Sequence, residues 1–161
     1  MKAIHLGLRY RRSPALESSF FDSEMPVDWR VAFLLNEQDA LWVAGDDPDV
    51  EIVLAELQDS PTDVFVVVEE SAWSPAWQAL ADAGHAVVRL TDKTPVWRPN
   101  VESAPAVVGL VSATDQPADL HAWLSSFLDQ APAEAALFVD GEPPSVATVD
   151  RLRTLTELMG R

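Results

Sequence analysis

The chain has no cysteine, which excludes a disulfide framework, a thiolate metal site and a cysteine nucleophile. Its six glycines form no glycine-rich phosphate loop, so nucleotide cofactors have no support and no cofactor is expected. Cations are scarce. Eleven lysines and arginines face 26 acidic residues, only Lys2 and Lys93 are lysine, and the net charge over 161 residues is −15. Such a chain repels phosphate backbones and anionic lipid, so neither nucleic acid nor a membrane is an expected partner. No apolar run approaches the roughly 18 residues of a membrane span. The first six residues lack the apolar stretch and small-residue cleavage site of a signal peptide, and a cytoplasmic location is expected. The chain is also too short for a regular eightfold α/β barrel, which takes about 250 residues.

Apolar residues make up 48% of the chain and aromatics 8%, enough for the core of a single α/β domain over residues 1–161. Apolar runs at 4–8, 40–43, 64–68, 86–90, 106–111 and 135–139 predict six strands. Several are continuous rather than alternating, as in parallel strands covered on both faces. Helix starts are signalled by a capping oxygen close to a proline: Asp47 with Pro48, Ser74 with Pro75, Asp115 ahead of Pro117, and Ser145 after Pro143 and Pro144. Helical stripes follow: Val50, Val53, Leu54 and Leu57; then Leu120, Trp123, Leu124, Phe127 and Leu128; then Leu152, Leu155 and Met159. Gly84 stands in the position just past a helix end. Residues 26–44 read as a helix, with Trp29, Ala32, Phe33 and Asn36 on one face, leading into a strand near Leu41. A hairpin of 31–35 with 40–43 is the alternative. Residues 93–105, rich in proline, read as a long loop of the kind that often carries function.

The order of several short motifs resembles the YecE-like family, known as domain of unknown function 72. The motifs are Ile4-His5-Leu6-Gly7, and Phe20-Phe21 followed by Met25-Pro26-Val27-Asp28-Trp29-Arg30. A strand at 66–73 ends in a tryptophan step, and a helix at 77–83 leads through Gly84-His85 into a strand closing on Asp92. Asp119-Leu120-His121-Ala122-Trp123, the strand at 137–141 and the last helix at 152–160 complete the set. The resemblance implies a TIM-like barrel. With the family's central units missing, it implies a reduced or incomplete barrel of about six mostly parallel strands with covering helices. The family's polar pocket positions fall here at Val67, Glu69, Gly109, Val111, Asp140 and Gly141, and only Asp92 keeps its identity.

Sites in parallel α/β folds lie beyond the carboxyl ends of the strands. Arg9, Arg11 and Arg12 cluster just past the first strand with Tyr10 among them. Guanidinium groups bind carboxylate or phosphate bidentately, so a small anionic ligand is expected there. Trp97, beside Arg98 in the proline-rich loop, could stack a ring, or simply pin the loop to the core. Glu69, Glu70, Asp92, Asp140 and Glu142 stand at strand ends, where paired carboxylates can hold Mg²⁺ or act as acid and base. Trp73 and Trp77 fit core packing. His5, His85 and His121 have no ligand spacing, and Asp46, Asp47 and Asp49 lack the glycine and glutamate of a calcium loop, so no metal is expected. Ser13 and Ser145 have no nearby His–Asp partners. Together these features predict a non-enzymatic small-anion-binding or interaction protein using Arg9, Tyr10, Arg11, Arg12, Asp92 and Trp97. The alternative is a metal-assisted or acid–base hydrolase using Asp92 with Glu69 or Asp140. An incomplete barrel also leaves a strand edge or an apolar helix face exposed, and a homodimer that covers it is expected.

Overall fold

The computed structural model of the chain describes residues 4–10, 24–46, 50–59, 64–102, 104–112, 117–131, 134–141 and 145–160. In chain order these form β1 (Ile4–Tyr10), α1 (Val27–Glu37), β2 (Ala40–Val43), α2 (Val50–Gln58), β3 (Phe65–Glu69), a short 3₁₀ turn (Glu70–Ala72) and α3 (Pro75–Asp82). They continue with β4 (Ala86–Leu90), β5 (Val96–Trp97), β6 (Val108–Ser112), α4 (Pro117–Gln130), β7 (Ala135–Asp140) and α5 (Val146–Leu158).

Seven strands, all parallel, make one sheet in the order β4-β3-β2-β1-β7-β6-β5. From the central β1 the chain steps outward to β4, reappears at the opposite edge as β5, and steps back to β7 beside β1. This is the neighbour order of a barrel opened between β4 and β5. The link across the opening is only Thr91 to Pro95, so Leu90 and Val96 lie within about 20 Å of each other. The sheet must curl to allow this, and Leu90 and Val96 both pack against one apolar cluster on the concave side.

Two layers of core result. The convex face carries Leu6, Leu8, Leu41, Val43, Val66, Val68, Val111, Leu137 and Val139, packed under the helices. The concave face carries Ala40, Trp42, Phe65, Val67, Val108, Leu110, Ala136 and Phe138, packed on one another. Burying each large side chain contributes about 1.5–3 kcal/mol. Both faces are apolar, which is why the strands read as continuous runs.

Local chemistry sets the helix ends. Ser145 Oγ accepts the Thr148 N–H at 3.1 Å and caps α5, as expected. Gly84, at φ 107°, follows α3 in the left-handed region expected for it. Ser74 caps α3 by backbone position, with Pro75 in the first turn, but its side chain makes no cap bond. Asp47, Pro48, Asp49, Asp115, Pro143 and Pro144 lie outside the described residues. Gly109 lets α4 lie close on the sheet: a Cβ there would sit 2.8 Å from both Phe127 and Leu137.

Several expectations need correction. The sheet has seven strands, not about six, although it is open between β4 and β5 as an incomplete barrel implies. The extra strand, β5, is two residues inside the proline-rich segment read as loop. Residues 26–44 do form a helix and a strand, but α1 buries Arg30, Val31 and Leu34, while Trp29 is 66% exposed. Trp77 is buried, as its spacing predicts. Among the described residues no helix is long and apolar enough to cross a membrane.

Candidate functional site

Strand alternation puts His5, Gly7 and Arg9 of β1 on the concave face, between Leu6 and Leu8 on the helix side. Gly7 marks a close approach, since a Cβ would fall 2.0 Å from the Ala40 carbonyl oxygen. With no side chain there, Trp42 and Phe138 from the strands either side of β1 meet edge-to-face, 5.5 Å between centroids.

Arg9 lies at the carboxyl ends of the strands. Its Nη2 donates to Glu69 Oε2 at 3.3 Å and its Nη1 to Asp140 Oδ2 at 3.4 Å, joining β1 to β3 and β7. The guanidinium lies 5.4 Å from the Trp42 ring centroid, and the Trp42 indole N–H donates to the same Glu69 oxygen at 2.8 Å. One arginine therefore sits between two carboxylates on an aromatic floor, leaving one net negative charge.

Beside this cluster a cleft of about 270 Å³ opens between β6, β7, α4 and the turn after β5. Asp140 lines it, with Arg98, Ser112 and Trp123 on the other sides and Leu110 and Val111 beneath. Arg98 is placed by its neighbours. Trp97 is buried and packs its ring on Phe127 at 5.4 Å, fixing β5. The next four residues make a turn in which Val101 N–H donates to the Arg98 carbonyl, with Asn100 at φ 62°. Proline second and a left-handed asparagine third is the signature of a type II turn. Gln130 ties the far end of the loop to α4 by bonding both the N–H and the carbonyl of Ala106. The guanidinium of Arg98 is exposed and, among the described residues, makes no hydrogen bond or ion pair.

The expected site residues are scattered. Arg9 is on the rim, but already held by Glu69 and Asp140. Tyr10 ends β1, and its side chain, like Arg11 and Arg12, lies outside the described residues. Asp92 is exposed in the turn after β4, at the sheet edge, and does not join Glu69 and Asp140. Trp97 offers no exposed ring, because it pins the loop to the core. Glu70 pairs instead with Arg89, which lies over the Trp73 ring. Gly109 and Val111 face α4, so the concave positions of β6 are Val108, Leu110 and Ser112. Trp42, Ser112 and Trp123 went unread as site residues. The strand-end rule alone would have found Ser112.

The opposite rim carries a histidine between two carboxylates. His5 Nε2 lies 2.6 Å from Glu134 Oε1, and its Nδ1 lies 3.4 Å from Asp39 Oδ2 without the geometry of a hydrogen bond. Asp39 Oδ1 accepts the Leu6 N–H at 3.0 Å, and the His5 ring packs on Phe65. Asp39 raises the His5 pKa above its ordinary value, burial opposes this, and Glu134 adds to the rise. Burial pushes the Asp39 carboxyl up, but His5 and the Leu6 N–H outweigh it and leave the pKa below the ordinary value. No group of three His, Asp or Glu residues among the described residues is arranged to hold a metal ion.

No protein-family model, no curated protein and no solved structure matches the chain. The YecE-like resemblance therefore stands on motif order alone.

Proposed function

We propose that the protein binds a small ligand through an anionic group, in the cleft at the carboxyl ends of β6 and β7, and performs no chemistry on it. The observation that carries this reading is the difference between two arginines. Arg9 is already charge-paired by Glu69 and Asp140. Arg98 is exposed in a cleft and has no partner among the described residues. A free guanidinium offers five donors in a planar fork, suited to carboxylate or phosphate. The anion site expected at Arg9 thus moves to Arg98.

The hydrolase alternative has one point in its favour, since Glu69 and Asp140 do converge. They converge on Arg9, however, so a cation or an attacking water at those oxygens would have to displace a guanidinium. Asp92, the third carboxylate of that reading, stands elsewhere.

Thermal-shift titration with sulfate, phosphate and succinate tests the proposal. An anion at 100 times its Kd stabilises by about 2.7 kcal/mol, which for a domain of this size is a rise of roughly 5–10 °C. Arg98→Gln should abolish the rise. No shift with any anion well above millimolar concentration would refute the reading. Dimerisation across the unpaired β4 and β5 edges is a separate proposal, and a light-scattering mass of one chain at micromolar concentration would end it.

A further inference from the structure

We infer that the cleft takes a zwitterion, namely a free α-amino acid with an apolar or aromatic side chain. The inference rests on the anion-binding reading above and adds the ligand's second charge and its body. Arg98 and Asp140 line the same cleft, yet Asp140 is ion-paired with Arg9 and Arg98 with nothing among the described residues. Two opposite charges face one space without meeting, so a ligand carrying both signs can bridge them.

Asp140 keeps capacity for such a ligand. Its bond to Arg9, at 3.4 Å, is long for a charge-assisted bond, which usually measures about 2.7–2.9 Å. Its other oxygen takes the Gly141 N–H at 2.9 Å. A carboxylate offers about four lone-pair sites, so acceptors remain for an ammonium.

Charge balance favours the same ligand. Arg9, Glu69 and Asp140 together carry one net negative charge at the cleft's edge. A plain anion on Arg98 is repelled by that charge, whereas a zwitterion turns its ammonium toward it. Ser112 lines the same cleft, and a hydroxyl can donate to a carboxylate or accept from an ammonium. The half-buried Trp123 indole gives apolar surface for the side chain. About 270 Å³ suits an amino acid rather than a larger cofactor.

Calorimetric titration of the full chain with four probes tests this. Phenylalanine carries both charges, N-acetylphenylalanine only the carboxylate, phenylalanine methyl ester only the ammonium, and succinate two carboxylates without an ammonium. Phenylalanine should bind at least about tenfold more tightly than each of the other three, the size of one charged hydrogen bond. Asp140→Asn should bring phenylalanine and N-acetylphenylalanine to similar affinity. Equal affinities of phenylalanine and N-acetylphenylalanine for the unaltered protein would overturn the zwitterion while leaving the anion reading intact. Strongest binding by the methyl ester, or none by any probe at millimolar concentration, would overturn both. The ligand comparison needs no variant, so it holds even if Asp140→Asn fails to fold.

Discussion

The two ends of the concave face of β1 carry the same motif with different outcomes. At the amino end His5 lies between Asp39 and Glu134, and at the carboxyl end Arg9 lies between Glu69 and Asp140. Each side chain meets carboxylates on both sides of β1: His5 meets those just ahead of β2 and β7, and Arg9 those on β3 and β7. The amino-end group closes on itself. It packs on Phe65, and its acceptors hold β1 through the Leu6 N–H. The carboxyl-end group shares Asp140 with a cleft also lined by Arg98, which has no partner among the described residues. One rim is thus a clamp, and the other is a clamp beside a cleft lined by a further arginine. In parallel sheets the carboxyl rim is where ligands bind, which agrees with this division.

The comparison breaks most severely at Gly7, which stands between the two clamps. Gly7→Ala places a Cβ against the Ala40 carbonyl and should cost about 3 kcal/mol, the upper end of ordinary overpacking, read by urea denaturation. Next in size, Arg9→Met removes the cation shared by Glu69 and Asp140, which among the described residues keep only the bonds from the Trp42 indole and the Gly141 N–H. Both are partly exposed, so the loss should be near 2 kcal/mol rather than the roughly 3–5 of a fully buried pair. His5→Gln should cost about 1 kcal/mol, because Asp39 and Glu134 are half exposed and water can replace the imidazole.

That third variant also isolates the pH behaviour of the amino end. The folded His5 pKa is raised, so its contribution is complete below the ordinary value of 6.5 and is lost as pH rises through the folded pKa. The folded Asp39 pKa is lowered, so its contribution is present above the ordinary 3.8 and is lost as pH falls. The melting temperature should therefore decline from pH 6 to pH 9, and the decline should shrink in His5→Gln. An identical decline in both proteins would show that the clamp does not titrate. The smallest stability effect belongs to Arg98→Gln, within about 0.5 kcal/mol, as for an exposed side chain without a partner among the described residues.

Much of the fold was legible because the core residues speak plainly. The continuous run of β3 and the stripe from Leu120 to Leu128 need no tertiary context. Three features were not legible, for physical reasons. Strand β5 is two residues long and borders prolines, so it has no periodicity to detect. Apolar chemistry on both faces of the sheet hides strand phase, so no local pattern shows that Gly109 lies under α4. The pairing of Arg9 with Glu69 and Asp140 depends on β7 lying beside β1, a fact of topology that no local spacing carries. Arg98 stands beside Trp97 in the sequence, but that its guanidinium has no partner among the described residues depends on tertiary placement. Trp97 is buried and serves to place its neighbour.

The measurement that most directly separates the two rims is a calorimetric titration of the unaltered protein and of Arg98→Gln with phenylalanine, alongside their melting curves. The expected result is millimolar or tighter binding in the first, a loss of at least roughly tenfold in the second, and superimposable melting. Equal affinity in the two proteins, or no binding by the unaltered protein, would contradict a ligand site at Arg98.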